Sequence, residues 1–223
     1  MRRKIVNILC AALATFAISY LLTQWETGQL FPESTASIVE AFRESDPMTY
    51  GILRDSPKTE EILADFKKTR DGKVLRERIG SLNEEIGAPA LQRASDETAI
   101  EAIKSGKALF EAFAKYNRPA CVIFLEGGDT AQTIQMPDIK PAYFRYSDGL
   151  FKAYESGKNG SEKTPIADDA VQSIMTDNLS VNLPGDIDFK NENLCETMIK
   201  IHDIDLVPED LRASYARKLI SGA

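Results

Sequence analysis

The sequence predicts an all-α domain behind a single N-terminal helix that enters a membrane. Three observations carry this. Residues 5–22 form an uncharged apolar run behind three cations. From about residue 35 onward, apolar residues recur at spacings of three and four, the period of one helix face. The 223-residue chain is 43% apolar, enough for a core, and shows no internal repeat. The expected architecture is an irregular bundle or array of about seven or eight helices.

Arg2, Arg3 and Lys4 precede Ile5 to Leu22 (IVNILCAALATFAISYLL). As a helix this run rises about 27 Å, close to the roughly 30 Å of a bilayer's hydrocarbon core. Tyr20 and Trp25 lie at its far end, where amphipathic rings suit the interface. Leading cations place the N-terminus in the cytoplasm and the body outside. The expectation is a signal anchor, residues 1–25, in the inner (cytoplasmic) membrane, with an exported domain, residues 26–223, in the periplasm. The alternative is a signal peptide cleaved near Ser19, after Ala17-Ile18. Tyr20-Leu21-Leu22 weighs against it, because it prolongs the run past the roughly 7–15 apolar residues of such peptides. Cys10 follows Leu9 rather than a small residue, so it reads as part of the span and not as a lipidation site.

In the body, Ser37-Ile38-Val39-Glu40 has the form of a capping box for a helix that stops near Asp46-Pro47. Ser56-Pro57 reads as an N-cap with proline at the first helical position. Ile62, Leu63 and Phe66, then Leu75, Ile79, Leu82 and Ile86, each share a face, with a break at Asp71-Gly72 and a stop at Gly87 and Pro89. Ser95 or Asp96 caps a helix over 97–117, in which Ala102 and Gly106 permit close helix approach. Pro119 to Glu126 is short and apolar. It suits a buried strand or a two-turn helix, and helix is favoured because a strand would lack a partner. A loop follows to Pro137, then helices over 138–156, from Thr164-Pro165 to 178, over 191–203 and over 208–220. Lys158 to Lys163 is the most linker-like stretch.

The formal charge is −7, and setting aside the +3 of Arg2, Arg3 and Lys4 leaves −10 for the rest. A body of that sign repels phosphates, so no nucleic acid is expected as a partner, nor acidic lipid headgroups for the body. The membrane is contacted through Ile5 to Leu22.

Cys121 and Cys195 both fall on the exported side, where thiols oxidise, and one pair permits one connectivity; the expectation is a bridge, and the alternative is two buried thiols whose Cβ atoms never come within about 4.5 Å. A bridge closing about 75 residues stabilises by roughly 4 kcal/mol in the chain-entropy view. A Cys195–His202 nucleophile pair is disfavoured, because two helical turns separate the residues by about 10 Å. His202 is the only histidine, which excludes multi-histidine metal sites. Asp186-x-Asp188 and Asp203-x-Asp205 start like calcium loops but do not continue as such. No P-loop, dinucleotide or serine-elbow pattern occurs, so no cofactor is expected.

Tyr143, Tyr146, Leu150 and Tyr154 share a helix face, with Phe144 and Phe151 beside it. That face is either core or a candidate binding surface for a partner. The leading functional expectation is a non-enzymatic, envelope-anchored module that binds a protein or another envelope component. The alternatives are a hydrolase of an envelope polymer using Glu126 or Glu155, which would need a facing carboxylate, and a small-ligand sensor.

Overall fold

The computed structural model describes residues 34–125, 131–181 and 193–222. The N-terminal apolar run, Glu126 and Asp186-x-Asp188 lie outside them. Among the described residues all regular structure is helical, and no helix is long and apolar enough to cross a membrane.

Helix α1 (Thr35–Ser45) is capped by Ser34, whose Oγ accepts from the Ser37 amide at 3.2 Å. The Ser37–Glu40 pattern therefore lies inside the helix rather than opening it. The stop at Asp46-Pro47 is real, but it is a joint. Asp46 caps a second helix, α2 (Pro47–Asp55), by accepting from the Thr49 amide at 3.3 Å. Pro47 occupies the first turn, where its missing N–H costs nothing. Helix α3 (Thr59–Thr69) begins two residues beyond Pro57 and ends at Arg70, which takes a left-handed φ of 54°. Asp71 accepts from the amides of Lys73 (2.9 Å) and Val74 (3.2 Å) to start α4 (Gly72–Leu82).

Gly87 and Pro89 do not stop this stretch. A π-turn over Asn83–Gly87 leads directly into α5 (Ala88–Gln92). The wider turn takes in an extra residue, and Pro89 falls in the first turn of the next helix. A Cβ on Gly87 would collide with the Asn83 side chain, so glycine makes room inside the turn.

Ser95 caps the long helix α6 (Asp96–Tyr116). Pro119–Leu125 is helical, α7, and a short helix α8 (Ala131–Ile134) interrupts the expected loop. Then come α9 (Lys140–Lys158), α10 (Asp168–Ser173) with a second π-turn over Ile174–Asn178, α11 (Leu194–Ile201), a 3₁₀ turn over Ile204–Leu206, and α12 (Arg212–Ser221). The helices are thus more numerous and shorter than periodicity predicts. Periodicity does not register a joint whose apolar faces continue on both sides.

Helix α6 is the axis. α9, α11 and α12 pack on it; α9 also packs on α2 and α5, and α1 on α2 and α3. One apolar core runs from Ile38 to Ile220. Near its centre Phe113 and Phe124 meet at 5.4 Å between centroids, and Phe110 lies edge-on to both at 6.2 and 6.1 Å, a favourable arrangement of ring quadrupoles.

The α5–α9 crossing depends on Gly157. A Cβ there would overlap the carbonyl oxygen of Ala90, a backbone atom that cannot rotate away. Gly157→Ala is expected to destabilise by about 1–3 kcal/mol. Gly80 in α4 has nothing within 4 Å of the same position, so Gly80→Ala is expected to stabilise by about 0.4–1 kcal/mol. Urea denaturation of the two variants should move the midpoint in opposite directions.

Candidate functional site

Tyr143, Tyr146, Leu150 and Tyr154 are 0, 1, 1 and 2% exposed. Their face of α9 is covered by neighbouring helices and forms core, so they offer no surface to a partner. The helical spacing identifies a face but not what lies against it. The α9 aromatics that reach the outside are the neighbouring Phe144 and Phe151, both half-buried; Phe151 lies beside Tyr50 of α2 at 6.2 Å between ring centroids.

Arg54 lies over both rings, 5.5 Å from the Tyr50 centroid and 5.9 Å from that of Phe151. Its guanidinium grips Asp55 with two bonds of 2.9 Å and donates to Glu155 at 2.6 Å. Lys158 reaches Asp55 at 2.6 Å and Glu155 at 3.4 Å, and the Tyr154 hydroxyl donates to Asp55 at 2.9 Å. Two cations and two carboxylates thus close a balanced network over an aromatic platform.

Partial burial pushes the Asp55 carboxyl up, but the donors of Arg54, Lys158 and Tyr154 together outweigh it and hold the group at about 2. The same contact with Asp55 raises the Arg54 guanidinium. Burial raises the Tyr154 hydroxyl, and its bond to Asp55 adds to this. Glu155 has two cations against it, Arg54 and Lys158.

Tyr50 and Arg54 escape the sequence reading because α2 does. The usable signal was Asp46-Pro47, the same cap-then-proline pattern that Ser56-Pro57 displays. The pairing of Arg54 with Glu155 spans 101 positions, and nothing local announces it.

Cys121 on α7 and Cys195 on α11 stand at disulfide distance, with Cα atoms 5.6 Å apart and both residues 1% exposed. The Cys195 sulfur is therefore engaged by Cys121, not poised for His202. His202 is buried, with its ring 5.0 Å from that of Phe110. Gly106 makes this possible, since a Cβ there would come 2.6 Å from the imidazole. Nδ1 lies 2.8 Å from the Met198 carbonyl. A carbonyl only accepts, so Nδ1 carries the proton. Burial lowers the imidazole to about 4.

Asp46 is fully buried at the α1–α2 joint. It accepts from the Thr49 hydroxyl at 2.5 Å and from Ser147 of α9 at 2.7 Å. Burial raises its carboxyl despite these donors, and burial together with Asp46 raises the nearby Tyr143 hydroxyl. Asp203 and Asp205 pair with Lys107 (2.9 Å) and Lys104 (3.9 Å) of α6. Among the described residues no group of three or more His, Cys, Asp or Glu could hold a metal ion.

Comparison with protein-family models, with curated proteins and with solved structures found no match for this chain.

Proposed function

We propose that this protein is a non-enzymatic helical module, held in or exported across the cytoplasmic membrane by Ile5 to Leu22, that binds a protein of the cell envelope. One observation carries the choice over a hydrolase. Among the described residues, those that could have served chemistry have structural partners: Cys195 faces Cys121, His202 is buried against Phe110, and Glu155 is held by Arg54 and Lys158. The Tyr50–Arg54–Phe151 platform lies at the surface instead. Tyrosine and arginine dominate the residues that carry binding energy at protein interfaces. A buried cysteine pair at disulfide distance suits an oxidising compartment.

The test is capture by tagged full-length protein from detergent-solubilised membranes, repeated with Tyr50→Ala and Arg54→Ala. A specific partner whose capture falls at least about tenfold in both variants is expected, as hot-spot truncation predicts. Arg54 is a partly exposed ion-pair residue, so its loss should cost the fold only about 1 kcal/mol or less, and a urea midpoint close to that of the wild type would confirm that. Recovery of no specific partner, with wall-polymer hydrolysis that Glu155→Gln abolishes, would overturn the proposal.

A further inference from the structure

Net charge hides a local reversal. From Lys67 to Arg78 the chain carries Lys67, Lys68, Arg70, Lys73, Arg76 and Arg78 against Asp71 and Glu77, a local charge of +4. With the +3 of the N-terminus also set aside, the remainder of the −7 chain stands at −14. The structure places Lys67, Lys68, Arg70 and Lys73 at the tip of one helical hairpin, where α3 ends and α4 begins, with Arg76 and Arg78 further along α4, and the two helices pack side by side.

Part of this charge has a local use. Lys67 and Lys68 in the last turn of α3 suit the negative end of its dipole, and Arg78 pairs with Glu61 and Asp65. Lys73 has no such use. It sits in the first turn of α4, where a cation opposes the helix dipole. Lys68 and Lys73 are exposed, and with Arg76 they make no ion pair among the described residues. Asp71 is turned to the amides of Lys73 and Val74. Beside Lys73 stands Val74, one of the few large apolar side chains left outside, 39% exposed. Exposed cations around an exposed apolar residue are the composition of a headgroup-level contact.

We propose that the α3–α4 tip docks on the anionic phospholipid surface of the membrane that the N-terminal segment enters. The inference rests on the anchor reading in one respect, the tether. Twelve residues separate Leu22 from Thr35, at most about 40 Å of chain. This keeps the domain within about its own diameter of the bilayer without choosing which face turns toward it. The charge asymmetry chooses: an anionic surface draws the tip in and repels the acidic remainder.

The test uses the full-length protein in vesicles of phosphatidylcholine alone or mixed with phosphatidylglycerol. Cys10→Ala removes the thiol of the apolar run, and a fluorophore is placed by Val74→Cys or, as the comparison position, by Leu206→Cys. Headgroup-nitroxide lipid reports contact. Quenching at position 74 that exceeds that at 206, appears only with phosphatidylglycerol and fades with added salt is expected. The Lys68→Glu/Lys73→Glu variant, labelled at 74, should weaken docking by at least about 25-fold, each lost cation being worth roughly fivefold. Equal quenching at 74 and 206, or indifference to lipid charge, would overturn the proposal. Charge reversal that abolishes capture of the protein partner while position 74 never meets lipid would also overturn it, and would assign the tip to an acidic protein.

Flotation separates this inference from the reading beneath it. Failure to float with phosphatidylcholine vesicles removes the anchor alone, provided that charge-dependent flotation with phosphatidylglycerol persists. Failure with both lipids removes the tip as well.

Discussion

Replacing Cys121 and Cys195 together by alanine is expected to lower stability by roughly 4 kcal/mol. The residues are 74 positions apart, so a bridge removes much of the loop-closure entropy of the unfolded chain. That is a large share of the roughly 5–15 kcal/mol by which a domain is stable. At this size the melting temperature should fall by roughly 10 °C. A reductant should have the same effect on the wild type and none on the double variant. Both residues are 1% exposed, so thiol reagents should act only after unfolding. Denaturing the wild type without reductant is the direct check. Failure of Cys121 and Cys195 to react is expected; two freely labelled thiols would show that the pair is not joined, and the stability difference should then vanish.

Acid should weaken the fold through His202. Its imidazole titrates at about 4 in the folded protein against 6.5 when free. Above 6.5 it is neutral in both states and contributes no pH dependence. As pH falls from 6.5 toward 4, the unfolded chain takes up a proton that the folded one refuses. Stability from this residue then drops by about 1.4 kcal/mol per pH unit, about 3 kcal/mol in all. Asp46 acts in the opposite sense: its raised carboxyl favours the fold at low pH, and that contribution is lost as pH rises through the folded value. The net curve mixes the two, so the test is a difference. Urea stability of the wild type minus that of His202→Gln, followed from pH 7 to pH 4, should fall along the stated slope because Asp46 is common to both. Parallel curves would show that His202 does not titrate this way.

Much of the secondary structure was legible because it depends on neighbours in the chain. Ser95 caps α6 where the sequence places a cap, and the Leu75, Ile79 and Leu82 stripe is buried as its spacing predicts. The π-turn at Asn83–Gly87 was not legible, because glycine followed closely by proline reads as a stop unless the turn is wide enough to carry them both. The Cys121–Cys195 pairing was legible by elimination alone. The candidate surface was legible only in part: the aromatic richness of α9 was plain, but the rings that reach the outside are Phe144 and Phe151 rather than those of Tyr143, Tyr146 and Tyr154.

By itself, then, the sequence determined the helical class, the cysteine pair and the long stripes of the core. These follow from backbone period, capping and the count of residue types, all of which act over a few positions or none. Only the tertiary structure decided which aromatic face became core, that Glu155 answers to Arg54 and that Asp46 is held by Ser147. Each of these rests on groups brought together by packing. A contact between residues a hundred positions apart leaves no mark on the periodicity of either.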